Sequence, residues 1–183
     1  SITILRTAGC NKRTCWCCYR NRKNYLIMSI EKVKEYFKQF SREKDIIELK
    51  QSSATVRLAA EALGVEPARI AKTLSFKADT GAVLVVTAGD ARIDNKKFKS
   101  KFGMKAKMLS PEEVIEYTGH AIGGVCPFGL HNKNVKVYLD ESLKRFETVY
   151  PACGSSNSAI ELNCDELADY SNSLEWVNVC KIN

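Results

Sequence analysis

The sequence predicts a single domain of α+β (mixed α/β) class, a mixed β-sheet flanked by helices. Three observations lead there. The chain has 183 residues, 45% apolar and 27% charged, which suits one domain with a proper core. Strand-like and helix-like segments are interspersed, with no strict alternation and no internal repeat. The run Ala82 to Ala88, Ala-Val-Leu-Val-Val-Thr-Ala, has the length and composition of a buried strand.

The elements follow from local chemistry. Ser29 caps a helix whose apolar positions Ile30, Val33, Phe37 and Phe40 follow helical spacing. Ile46 to Leu49 reads as a short strand. Ser52 and Ser53 open a second helix with Val56, Ala59, Ala60 and Leu63 on one face, closed by Gly64. Pro67 starts a helical turn that runs into a strand from Ile70 to Phe76. After Ala82–Ala88, Gly89-Asp90 makes a turn and Asp94 opens a basic helix carrying Lys96, Lys97, Lys99 and Lys101, closed by Gly103. Ser110-Pro111-Glu112-Glu113 is a capping box with proline in its favoured first position, and this helix stops at Gly119. Val135 to Leu139 alternates as a strand does, and Glu141 to Phe146 is a helical turn. Thr148 to Cys153 is a strand, Gly154 to Asn157 a turn and Ala159 to Leu162 another strand. Asn163 to Glu166 caps a C-terminal helix, and Trp176 to Val179 is a last strand.

Residues 1–27 read differently. They hold six Lys or Arg, no acid, and four cysteines (Cys10, Cys15, Cys17 and Cys18) without helical or strand periodicity. Four thiols could ligate an ion, but Cys15, Cys17 and Cys18 are too crowded for the usual Cys-x2-Cys pairs. The expectation is a disordered or non-native leader ahead of a true start at Met28, with 28–183 forming the domain.

The net charge of +7 resides mostly in that leader. Without its six cations the chain has 22 basic against 21 acidic residues, so contact with a nucleic acid must come from a local patch. Cys126, Cys153, Cys164 and Cys180 show no paired spacing and no secretory signal precedes them, which points to a reducing cytoplasm. No apolar run approaches the ~20 residues of a membrane span, so no membrane partner is expected.

The densest functional signal is Gly123 to Leu130, Gly-Gly-Val-Cys-Pro-Phe-Gly-Leu. Gly123, Gly124 and Gly129 lack a Cβ and accept positive φ, so a ligand can approach their backbone closely. Pro127 fixes its own φ and biases Cys126 toward an extended form. A stiff loop with outward main-chain N–H groups suits the holding of a carbonyl or phosphate oxygen; a plain tight turn is the alternative. Lys72 stands beside Thr73 at the start of an otherwise apolar strand. It is either an edge lysine whose stem snorkels to water or a point charge aimed at a phosphate or acyl oxygen. Cys126 is either a nucleophile, though no partner base is fixed near it in sequence, or a small apolar filler, and His120 and His131, which flank the loop, are either bases or ordinary loop histidines. There is no metal-ligand spacing in the body, no Gly-x-Ser-x-Gly, no Walker loop and no Gly-x-Gly-x-x-Gly.

Four segments in register carry a resemblance. Ala-Arg-Ile-Ala-Lys-Thr-Leu-Ser-Phe, Gly-Asp-Ala-Arg-Ile-Asp, Thr-Gly-x4-Gly-Val-Cys-Pro-Phe-Gly-Leu and Ala-Cys-Gly-Ser-Ser-Asn resemble the YbaK/EbsC family. Its members are free-standing relatives of the editing domain inserted in bacterial prolyl-tRNA synthetases. The resemblance covers about residues 46–180. It implies a strongly curved mixed sheet and hydrolysis of the ester joining a wrong amino acid to the 3′-terminal adenosine of a tRNA, often that for proline. It implies no metal and no cofactor. Its partners are the acceptor end of an aminoacyl-tRNA and, in some cases, prolyl-tRNA synthetase. Lys72 matches the family's essential lysine and Thr73 its neighbour. Gly123 and the following amides match the loop that orients the substrate carbonyl. The expected catalytic residues are therefore Lys72 and Gly123, and the expected substrate-binding residues Thr73, Gly124, Val125, Cys126, Pro127, Phe128 and Gly154. The subgroup acting on cysteinyl-tRNA carries an Asp and a Ser where this chain has Ala159 and Ala152, so the resemblance leaves the amino acid open. A non-catalytic module of the same fold that holds tRNA or a nucleotide is the alternative function.

Overall fold

The structure is a computed structural model that describes residues 29–183. The expectations for a leader at 1–27 and a start at Met28 lie outside the described residues.

The fold is the expected α+β domain, built on one curved mixed sheet of six strands. Its centre is the hairpin of β2 (Ile70–Ala78) and β3 (Gly81–Ala88), antiparallel from Ala71↔Ala88 to Ala78↔Gly81. β5 (Val135–Asp140) runs parallel to β3, and β9 (Glu175–Val177) runs parallel to β5. On the other side β6 (Thr148–Pro151) is parallel to the start of β2, and β8 (Leu162–Asn163) is antiparallel to β6. β3 is buried over nearly its whole length, as its unbroken apolar run requires. Two small antiparallel pairs stand outside this sheet. One joins β1 (Ile47–Glu48) to β7 (Ser158–Ala159), the other β4 (Ala91–Ile93) to β10 (Cys180–Ile182).

Among the described residues five helices cover the sheet. α1 spans 29–38, α2 is Val56–Leu63, α3 Asn95–Phe102, α4 Pro111–Thr118 and α5 Cys164–Ser171. Both capping boxes form, Ser110 with Glu113 and Asn163 with Glu166, each satisfying two backbone donors that a helix start leaves open. Asp94 caps α3 through the Lys96 and Lys97 amides.

The main core packs Val33 and Phe37 of α1 against Phe128, and Phe98 of α3 against Phe76. Two smaller apolar clusters stand apart from it. One gathers Ala59, Ala60, Ile70 and Tyr150, with Val56 and Leu63 packed on it. The other gathers Ala82, Leu109 and Val114, with Tyr117 and Val125. The space between these two clusters is the site described below.

The structure corrects four element assignments. The cap of α2 is Thr55, whose hydroxyl accepts from the Leu58 amide at 3.2 Å, so Ser52 and Ser53 remain in the preceding loop. α1 ends before Phe40. The stretch Ala159–Leu162 is two strands, because the chain leaves β1 at Ala159 and rejoins the main sheet along β6 at Leu162. The last strand is shifted to Glu175–Val177 and followed by β10. Neither β4 nor β10 had a signal, since three residues cannot establish a period.

Candidate active site

Opposed walls of the two small clusters enclose a cavity of about 380 Å³. One wall comes from α2 and its approach, with Ser53, Ala54, Val56, Ala59 and Leu63. The facing wall comes from the segments around α4, with Met108, Leu109, Val114, Ile122, Gly123 and Val125. β2 contributes Ile70, Lys72, Thr73 and Ser75, and the chain beyond β6 contributes Ala152, Ser158 and Ala159. Among the described residues Lys72 is the one charged residue in the lining, and none of those lining residues is Cys, His, Asp or Glu.

β2 places Lys72 opposite Thr87 of β3. Its half-buried ammonium donates to the Gly89 carbonyl at 3.2 Å. Burial lowers the Lys72 pKa from its ordinary value, while Cys180 and the Asp90 carboxylate oppose the shift. Asp90 is itself held by both terminal nitrogens of Arg145, at 2.9 and 2.5 Å. That pairing pulls the Asp90 carboxyl down and leaves Lys72 free of any carboxylate salt bridge among the described residues. Next along β2, Thr73 Oγ1 is buried without a hydrogen-bond partner among the described residues, and so is Ser53 Oγ, which also lines the cavity. Unsatisfied hydroxyls beside a cavity are groups that a ligand or water can complete.

The loop after α4 divides its residues between two tasks. Gly123 has φ +95°, and a Cβ there would stand 3.3 Å from the Ala54 Cβ, so the residue is fixed by conformation more than by space. The amides of Gly123 and Val125 donate to no acceptor among the described residues, and both residues line the cavity. The Gly124 amide is spent on the Ala121 carbonyl at 3.0 Å. Gly124 instead supplies close approach: a Cβ would fall 2.6 Å from the Ser155 nitrogen and 2.7 Å from the Gly154 carbon. Gly154 is buried between this loop and α1, close against the Ser29 carbonyl.

Cys126 and Phe128 are fully buried and point away from the cavity lining. Burial pushes the Cys126 thiol up to about 12, so it stays protonated and poorly nucleophilic. Phe128 packs edge-on against Phe37 at 4.9 Å. Its carbonyl accepts from His120 Nε2 at 3.0 Å. A carbonyl only accepts, so Nε2 carries the proton and Nδ1 accepts from the Ser29 hydroxyl. His120 is therefore a structural clamp between α1 and the loop. Pro127 is buried and borders a second cavity, of about 320 Å³, with Tyr36, Gly129 and Leu130.

Of the expected site residues, Lys72, Thr73, Gly123 and Val125 come together around one cavity. Gly124, Cys126, Phe128 and Gly154 lie behind it, where they position the loop, and Pro127 lies at the second cavity. Sequence reasoning missed Ser53, Ala54, Met108, Ile122 and Tyr150. The Ser-Ser-Ala-Thr run had been absorbed as a helix start, and the others carry no local pattern.

Fold and site together define a small α+β domain with an apolar, singly cationic cleft bordered by free backbone donors. A protein-family model described as the aminoacyl-tRNA editing domain matches residues 50–170, and the chain belongs to that family. The expected YbaK/EbsC kinship therefore holds. An uncharacterized protein of Bacillus subtilis (strain 168), YwhH, is 59% identical over 155 residues, covering 84% of this chain and 98% of that one. EbsC of Enterococcus faecalis, named as a candidate Cys-tRNA(Pro)/Cys-tRNA(Cys) deacylase, is 32% identical over 115 residues, 62% of this chain and 70% of its own. The proline–tRNA ligase of Thermosipho melanesiensis is 29% identical over 150 residues; the match covers 81% of this chain but only 26% of that enzyme. A solved structure titled as a candidate trans-editing enzyme for prolyl-tRNA synthetase superposes with a TM-score of 0.76 at 30% identity, covering 84% of this chain and 97% of that one. No helix among the described residues is long and apolar enough to cross a membrane.

Proposed function

We propose that this domain is a trans-editing aminoacyl-tRNA deacylase. It hydrolyses the ester that joins a wrongly attached small amino acid to the 3′ end of a tRNA, with tRNA for proline as the substrate, in the cytoplasm where charged tRNA is used. Family membership supports the substrate class. The observation that carries the reading is the convergence of Lys72, Gly123 and Val125 on one apolar cavity that offers no other charged group among the described residues.

An aminoacyl ester is already activated, so the site need not build a strong nucleophile. A water molecule, which the neighbouring ribose hydroxyl helps to orient, adds to the ester carbon. The bond to the ribose oxygen breaks and that oxygen takes the proton. The amides of Gly123 and Val125 hold the carbonyl oxygen as negative charge develops on it, in a site that excludes bulk water. Lys72 supplies the positive charge, to the ester oxygen or to the terminal phosphate. The side chain of the amino acid enters between the two apolar walls, near Ala152 and Ala159. The absence of an acid in the lining disfavours cationic side chains. Small residues such as alanine or cysteine fit this pocket. Prolyl-tRNA synthetase is the natural supplier of such mischarged tRNA.

The test is a panel of purified aminoacyl-tRNAs offered to the protein. Release of a small amino acid from one or more of them is expected. A panel in which nothing is cleaved while tRNA still binds favours a non-catalytic binding module.

A further inference from the structure

Five large apolar side chains are well exposed among the described residues, and two of them, Met108 and Ile122, line the same cavity. Met108 is 53% exposed and Ile122 60% exposed, so they stand at its mouth and not in its interior. They bracket α4. Met108 lies just before its cap Ser110 and is fixed by an antiparallel bridge to Phe76 of β2. Ile122 lies three residues after its C-cap Gly119. Between them Leu109, Val114 and Val125 continue the apolar wall into the cavity.

Resting on the deacylase reading above, we propose that Met108 and Ile122 form a subsite for the terminal nucleoside of the acceptor end, gripping its purine base and ribose between them. Ile122 adjoins Gly123, whose amide holds the ester carbonyl in that reading. Ile122 is thus the exposed lining side chain beside the held carbonyl, and in that reading the group attached to the ester is the ribose with its base. Exposed apolar side chains at a cavity mouth gain most by covering a flat, weakly hydrated face, which a base provides. A second protein is a poorer occupant. Two side chains fall far short of the ~1,000 Å² that a stable protein interface buries. The lining residues flanking them on this wall, Leu109, Val114, Gly123 and Val125, carry no side-chain donor or acceptor for a base edge, so the contact recognises a stacked face and not a sequence.

The test uses a hydrolysis-resistant 3′-amide of alanyl-adenosine as probe, with alaninamide as the control that lacks the nucleoside. Binding is measured by calorimetry to the wild type, to Met108→Ser/Ile122→Ser and to Met108→Leu. Because both side chains are more than half exposed, the double variant is expected to melt with the wild type. The expected result is at least tenfold weaker binding of the nucleoside amide by the double variant and near wild-type binding by Met108→Leu. Equal affinity of the wild type and the double variant for the nucleoside amide overturns the subsite. A wild type that cleaves charged tRNA yet binds the nucleoside amide no better than alaninamide also overturns it, and leaves the deacylase standing. If no aminoacyl-tRNA is cleaved but nucleoside binding still falls with the substitutions, the subsite is upheld and the deacylase reading fails.

Discussion

The Lys72 ammonium donates to the Gly89 carbonyl at 3.2 Å, and this contact holds the one charged side chain of the cavity lining among the described residues. Gly89 is tightly packed. It sits so close to Pro67 and Val56 that a Cβ there would come within 2.0 Å of the Pro67 carbonyl oxygen. The lysine is thus half-buried, held by a backbone oxygen and spared a salt bridge because Arg145 occupies Asp90. A cation kept available at the cost of desolvation is expected to act on substrate. Lys72→Ala should lower turnover by about 100-fold, the scale of losing one stabilising donor in an acyl-transfer site. Stability should change by no more than about 1 kcal/mol, because the lost hydrogen bond is offset by relief of burial. Single-turnover kinetics and thermal melts of the two proteins check both parts.

Gly123 and Cys126 are three residues apart and should respond oppositely. Gly123→Val forces a β-branched residue into φ +95° and crowds Ala54, which displaces the backbone of the loop that lines the cavity. Turnover should fall by about 100-fold or more. Cys126→Ala removes a buried thiol with no part in the lining, so turnover should stay within about threefold while stability drops by about 1 kcal/mol. Active Gly123→Val together with inactive Cys126→Ala would reverse the assignment of this loop.

Ala152 and Ala159 face each other across an isolated antiparallel bridge and both line the cavity. They set the room available to the amino acid. Ala152→Leu should reject the larger members of a series of aminoacyl-tRNAs first, raising the ratio of alanine to larger substrates by about tenfold. Competing substrates in one reaction measure that ratio directly.

His120 makes stability depend on pH. Burial lowers its pKa from the ordinary value, with the Phe128 carbonyl opposing. The unfolded chain, with histidine near ~6.5, then binds a proton that the folded chain refuses. Stability is complete above about pH 6.5 and falls as the pH drops through that value toward the lowered pKa. Urea denaturation at about pH 7.5 and 5.5 should show this loss in the wild type. His120→Gln, whatever its own cost, should flatten the difference. The carboxylates with depressed pKa, Asp90, Asp94, Glu113 and Glu161, act at lower pH and leave this window clear.

Much of the fold was legible where its cause is local. The Ser110 and Asn163 capping boxes, the buried run of β3 and the helix closures at Gly64, Gly103 and Gly119 follow from neighbours in sequence. β4 and β10 were not, because a three-residue strand is made by its partner, here Ile93 against Cys180. The site divides the same way. Lys72 and Gly123 announce themselves by residue type in an unusual setting. Ser53, Ala54 and Tyr150 belong to the cavity only because β1 pairs with β7 and β6 with β2, which bring distant segments to one place. The interior position of Cys126 and Phe128 was equally hidden, since a Gly-rich loop gives no period to tell its inner face from its outer.

The central claim is that Lys72 acts on the ester of a charged tRNA. The most direct measurement is the single-turnover deacylation of a small mischarged tRNA by wild type and Lys72→Ala, with melting curves of both. A rate about 100-fold lower in a variant that melts with the wild type is the predicted result. Equal rates in the two proteins would contradict it.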